Sequence, residues 1–143
     1  MDMAWFEDLS ACDYFGDEFA QFLRAVGWLE RGKPYSTDSC DERVFRKLSQ
    51  LCKEPWGPSF RGLHNCDLCQ FEGDSGYRNL FVPGGEFIFV CPELIVHYIN
   101  AHGYCPPTRF CDAVLSCPRM RSIEYHKALL ASGGRPLVKS HTK

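Results

Sequence analysis

The chain has 143 residues, 45% of them hydrophobic, with three Trp, six Tyr and eleven Phe, which is enough apolar surface for one folded core and unlike the polar, aromatic-poor balance of disordered chains. Its formal net charge of −2 argues against a protein built mainly to neutralise phosphates, which needs a basic excess on at least one face. No apolar run approaches the roughly 18 residues of a membrane span, and the acidic start from Asp2 to Asp8 lacks the basic-then-apolar order of a secretory signal, so a cytoplasmic location with no membrane partner is expected.

In that compartment the nine cysteines are mostly reduced thiols, and an odd count fits a closed disulfide framework poorly. Some are then candidates for metal ligands and the rest for small buried apolar residues. Charge is uneven along the chain. Asp2, Glu7, Asp8, Asp13, Asp17 and Glu18 precede the first basic residue, Arg24, whereas from Arg119 onward six basic residues face only Glu124. Two readings fit: ends that are simply solvated or lie near each other, or a charged docking surface.

In chain order, residues 1–17 lack helical periodicity and read as an irregular arm, pinned by Trp5, Phe6, Tyr14 and Phe15. Phe19, Phe22, Leu23, Val26 and Leu29 recur at intervals of three and four, which predicts an amphipathic helix over about 17–30, ended by Gly32 and Pro34. Ser39-Cys40-Asp41-Glu42 has the form of a capping box and opens a second predicted helix over about 39–53, with Val44, Phe45, Leu48, Leu51 and Cys52 as its core stripe. Arg78–Val82 and Glu86–Val90 are β-prone runs joined by Pro83-Gly84-Gly85, which predicts a hairpin. Pro92 suits the first turn of a helix that Gly103 can stop after His102. Past Pro106-Pro107, the residues Phe110, Val114 and Leu115 indicate a short helix; Pro118 opens another over about 118–131, closed by Ser132-Gly133-Gly134, and Leu137-Val138 reads as an edge strand. The expected architecture is a mostly helical α+β single domain over 1–143, with a zinc-finger-like ββα unit at about 62–107 packed on the flanking helices.

The strongest chemical signal lies in that unit. Cys66 and Cys69 are spaced so that a tight turn can aim both sulfurs at one ion, and His97 and His102, separated by four residues, fall within the gap used by paired zinc histidines. On an ideal helix at about 100° per residue these histidines would stand about 140° apart, so the last turn must depart from ideal geometry for both to reach one ion. His64, Cys91 and Cys105 are close enough in sequence to replace one of the four. A mixed sulfur and nitrogen tetrahedron favours zinc over iron or copper, and four protein ligands leave no open position for catalytic water.

The strings Gly62-Leu63-His64-Asn65-Cys66-Asp67-Leu68-Cys69 and Pro92 through Pro107, together with Trp28-Leu29-Glu30-Arg31-Gly32 and Cys117-Pro118-Arg119-Met120-Arg121-Ser122, resemble a group of small uncharacterised bacterial proteins. The resemblance spans most of the chain and implies no particular activity. Cys91 and Cys105 look like departures from that group's pattern, which favours the four-ligand choice.

Three functions fit these residues. One is a zinc-stabilised interaction module, an adaptor, inhibitor or immunity-type partner, with Trp56, Phe60 and Tyr77 as a candidate exposed patch. A second is nucleic-acid binding through the zinc-finger-like unit, with Arg109, Arg119 and Arg121 as phosphate contacts; against it, the helix after Pro92 contains no Arg or Lys to read a groove. The third is a zinc-dependent hydrolase using His64 or His126 as base, for which no partner carboxylate or nucleophile motif is evident. The sequence does not indicate an oligomeric state.

Overall fold

The computed structural model describes residues 5–56, 64–69, 75–76 and 78–141, and they form an α+β fold. In chain order the elements are a 3-10 turn at Asp17–Phe19, then β1 (Leu23–Ala25), α1 (Glu42–Leu51), β2 (His64–Asn65), β3 (Ser75–Gly76), β4 (Asn79–Pro83), β5 (Ile88–Pro92), α2 (Ile95–His102), α3 (Thr108–Ser116), α4 (Ile123–Ala131) and α5 (Arg135–His141). None of the described helices is long and apolar enough to cross a membrane.

The predicted hairpin forms, with β4 and β5 antiparallel and Phe81 opposite Val90. Both strands are buried almost throughout, as expected of strands covered on both faces, which read as continuous apolar runs rather than alternating ones. Helices α3 and α4 pack on β4, α1 packs on α2 and α3, and α5 packs on α4.

The predicted helix over 17–30 does not form. After the 3-10 turn the chain extends as β1 and pairs parallel with β5, Leu23 opposite Ile88 and Ala25 opposite Val90. The spacing of Phe19, Phe22, Leu23, Val26 and Leu29 suits a helix, but Leu23, Ala25, Val26, Trp28 and Leu29 are all buried, and a segment covered on every side carries no decisive periodicity. Gly27, at φ 78°, then breaks any helical continuation, and a Cβ there would meet the Ile95 side chain at 3.0 Å.

The N-terminal arm is irregular and pinned as expected. Leu9 N–H donates to Ala25 O at 2.7 Å, Ala25 N–H to Ser10 O at 2.8 Å and Cys12 N–H to Leu23 O at 3.1 Å, so the arm covers the edge of β1 that would otherwise present unpaired backbone groups. Phe6, Tyr14 and Phe15 close around the Trp28 ring at centroid distances of 5.5, 4.9 and 6.3 Å. Trp28 itself is fully buried and donates its indole N–H to Val90 O at 2.9 Å, tying this layer to the central strand.

Several predicted boundaries shift. α1 begins at Glu42, capped by Asp41, whose carboxylate accepts from Arg43 N–H at 2.8 Å; Ser39 lies outside the helix. Val44, Leu48 and Leu51 form its buried face, while Phe45 and Cys52 are half-buried. Among the described residues one α-helix, not two, therefore precedes the cysteine segment. Pro92 ends β5 opposite Asn79 instead of opening a helix, because Glu93 prolongs the ladder: its N–H donates to Arg78 O at 3.0 Å and its carboxylate accepts from Arg78 N–H at 2.9 Å. On α3, Phe110 and Val114 are buried but Leu115 is exposed. α4 starts at Ile123, where Ser122 accepts from Tyr125 N–H at 3.2 Å, so Pro118 belongs to the preceding loop. The expected edge strand at Leu137-Val138 is instead part of α5, with both residues buried; Pro136, which lacks the N–H a strand needs, sits in that helix's first turn.

Candidate metal centre

Cys66 and Cys69 flank a turn directly after β2, the strand that pairs antiparallel with β3. The backbone N–H groups of Leu68 and Cys69 point at the Cys66 sulfur, so the turn itself aims the first thiol. A clamp from outside holds the same turn. Arg31 donates its backbone N–H to the Asp67 carboxylate at 2.7 Å, its Nε to Asp67 O at 2.9 Å and an Nη to Cys69 O at 2.6 Å.

The histidines come from α2. Cys66 Sγ lies 3.4 Å from His102 Nε2, and Cys69 Sγ lies 3.3 Å from His97 Nε2 and 3.5 Å from His102 Nε2. All four candidate ligand atoms fall within 4.8 Å of one another, a group able to hold a metal ion. The departure from ideal helical geometry is visible in the last turn: Tyr98 O accepts from Gly103 N–H and, at 3.2 Å, from Tyr104 N–H, five and six residues on. A turn widened in this way advances less per residue than an α-turn and swings His102 back toward His97, leaving the two rings 5.1 Å apart. Gly103 takes the left-handed conformation, φ 66°, that this ending requires. Tyr35 donates its hydroxyl to His102 O at 3.0 Å, satisfying a carbonyl at the helix end.

Burial pushes the Cys66 thiol above its ordinary pKa, and the two turn N–H groups oppose that rise. Burial, with His97 adding to it, holds the His102 imidazole below its usual range and so favours the neutral form that can ligate. The alternatives named from sequence separate. Cys91 is fully buried and its charge neighbours are Cys52 and Cys117; Cys105 sits beside Asp38 and near Cys40 and Cys111. Neither joins the group. The His64 side chain, Phe60 and Tyr77 lie outside the described residues. Trp56 is half-buried, packed on Phe81 and Tyr125. His126 is exposed on α4, beside Trp56 and Arg121 at a shallow cleft. All nine cysteines are free.

Arg31, Asp67 and Tyr35 were not singled out from sequence. Arg31 lies 36 residues before the Asp67 it holds and Tyr35 lies 67 before His102, and no local pattern announces pairings at such separations.

The fold and this side-chain group define an α+β protein with a two-cysteine, two-histidine cluster that could bind a metal. The chain belongs to a family of domains of unknown function, DUF7919, whose model matches residues 4–115. That stretch contains all four clustered side chains and ends within α3. No curated protein and no solved structure matches the chain.

Proposed function

We propose that Cys66, Cys69, His97 and His102 bind one structural zinc ion and that the protein is a zinc-stabilised interaction module. The observation that carries the reading is the size of the cage. A tetrahedral zinc with Zn–S near 2.3 Å and Zn–N near 2.05 Å has an S···N edge of about 3.6 Å, against the 3.3, 3.4 and 3.5 Å between these side chains. Both histidines offer Nε2, and two thiolates with two neutral imidazoles balance the dication. Four ligands close the coordination sphere, which favours a structural role over activation of water. Such a site contributes folding energy directly, because the unfolded chain cannot hold the ion in the same way.

An interaction role is favoured over nucleic-acid binding by the surroundings of the cluster. Helix α2 buries Ile95 and Tyr98 and carries no Lys or Arg, so it is not available to read a groove. Arg109 lies 3.4 Å from Glu86 and Arg119 4.0 Å from Glu54, and Arg121 donates to Pro55 O, so a carboxylate beside two of the three candidate phosphate contacts lowers the positive potential there. On α4, Ile123 and Leu130 are 70% and 39% exposed and lie two turns apart on one face, with the exposed polar side chains of His126 and Lys127 between them, so a partner covering this face would meet apolar and polar groups together.

The test is elemental analysis and X-ray absorption of the untagged protein, where one zinc per chain with two sulfur and two nitrogen neighbours is expected. Cys66→Ser or Cys69→Ser should release the ion and lower the melting temperature. Absence of bound metal refutes the reading, and three protein ligands with an oxygen neighbour moves it to a zinc hydrolase.

A further inference from the structure

Between the N-terminal arm and the loop after β1 lies a cleft of about 510 Å³, within the size range of small-molecule sites. No cysteine is among its lining residues, and Tyr35, through His102, is its link to the metal centre. Its apolar walls are Trp5, Phe6, Leu29 and Tyr35, and its acidic groups are Glu7 and Asp8. The chain already places a cation there: the Lys33 ammonium lies over the Trp5 ring, 4.9 Å from its centroid.

The walls are held by the fold rather than by one another. Asp8 accepts from Gly27 N–H at 3.0 Å and from the Tyr104 hydroxyl at 2.8 Å, so its carboxylate is anchored to β1's exit and to the loop after α2. Tyr35 is fixed by its bond to His102 O, and Phe6 by its edge contact with Trp28. Burial raises the pKa of the Asp8 carboxyl, a cost that a positive charge beside it would relieve. Aromatic faces combined with carboxylates in a concave site are the chemistry that recognises ammonium groups, the ring quadrupoles and the negative charges both favouring a cation while the walls cover its apolar stem.

We propose that this cleft binds a small organic amine, an alkylammonium whose cation takes the place Lys33 now fills over Trp5 and whose stem packs on Phe6, Leu29 and Tyr35. Lys33 is then an internal competitor. Its side chain is exposed, so it can swing into solvent when the ligand arrives.

The experiment is an amide and indole NMR titration of the full chain with n-butylammonium, with neutral n-pentanol and Nα-acetyl-lysine methylamide as comparisons. n-Butylammonium should shift the Trp5 indole and Tyr35 signals saturably, with a Kd of about 1–10 mM, as a small cation gaining one or two aromatic contacts would give. Lys33→Met keeps the stem and removes the competing charge, so it should tighten binding by about two- to fivefold. Trp5→Leu should weaken it by a similar factor, with an unchanged melting temperature confirming that the arm stays docked. No saturable shift, equal binding of pentanol, or a Lys33→Met variant that binds no better overturns the proposal. Tighter binding of the lysine derivative overturns the small-molecule assignment and moves the cation to a polypeptide partner.

Discussion

Replacing Arg31 by Met would test whether the cysteine turn is built by its own sequence or by the clamp across it. Arg31→Met keeps the backbone N–H that holds the Asp67 carboxylate at 2.7 Å and removes two guanidinium bonds, to Asp67 O at 2.9 Å and Cys69 O at 2.6 Å. Charged hydrogen bonds contribute about 1.5–3 kcal/mol each when desolvated, but Arg31 is exposed, so about 0.5–1 kcal/mol each is the appropriate scale. The sum of about 1–2 kcal/mol corresponds to a metal affinity weakened by about five- to thirtyfold, in line with the loss seen when outer partners of metal ligands are removed. The assay is competition for zinc against a chromophoric chelator, with Arg46→Met as control, since Arg46 pairs with Glu42 on the exposed surface of α1. Arg31→Lys, able to reach one carbonyl, should fall between. An Arg31→Met affinity within twofold of the wild type would refute the clamp and leave the turn's own N–H groups as sufficient.

Three further outcomes are expected from the packing and the burial of the thiols. Trp28→Phe should cost about 2–3 kcal/mol in denaturant unfolding, from lost volume and the lost indole bond; the loss is contained because Val90 O keeps the Val26 N–H at 3.0 Å, and a cost under 0.5 kcal/mol would mean the arm is loosely packed. Zinc binding at pH 8 should release one to two protons per ion, measured by calorimetry in buffers of differing ionisation enthalpy. The raised Cys66 still carries its proton there, while His102, held below the ordinary imidazole range, has none to lose; affinity should therefore fall as pH falls. Alkylation followed by mass spectrometry should label Cys40 and Cys105 first, with chelation adding Cys66 and Cys69. Burial pushes Cys52 and Cys111 up to about 12 and Cys12 and Cys117 to about 11, so these should stay unlabelled in the folded chain; early labelling of Cys12 would contradict the docked arm.

Elements whose cause is local were legible in sequence. The hairpin follows from two β-prone runs around Pro83-Gly84-Gly85, and the stop of α2 follows from a glycine at the one position that needs positive φ. Helix α1 was found with its start misplaced, because Ser39 and Asp41 both offer a capping oxygen and only the chain direction at Asp41 selects between them. β1 was not legible. Its three residues acquire a reason to extend only when β5 lies alongside, and β5 is more than 60 residues away; until then the apolar spacing of 17–30 is indistinguishable from a helical face. The same holds for α5, whose Leu137-Val138 pair is β-prone in isolation and becomes helical where it packs on α4.

The cluster shows why a site can be readable when much of the fold around it is not. Its two halves are each encoded within a few residues: the turn N–H groups aim Cys66, and Gly103 permits the wide turn that brings His102 beside His97. Bringing the halves together is a task for the tertiary structure, and Arg31 and Tyr35 are the residues that perform it, one on the turn and one on the helix end. Both lie in the segment between β1 and α1, just past the predicted helix over 17–30 that forms a strand instead. Had residues 17–30 been the helix their spacing suggests, Arg31 would have followed a helix end rather than the buried strand and loop that carry it to Asp67. The misread strand and the overlooked clamp therefore fail in the same way: the partner that gives each its role, β5 for β1 and Asp67 for Arg31, lies 36 or more residues along the chain, beyond any local window of the sequence.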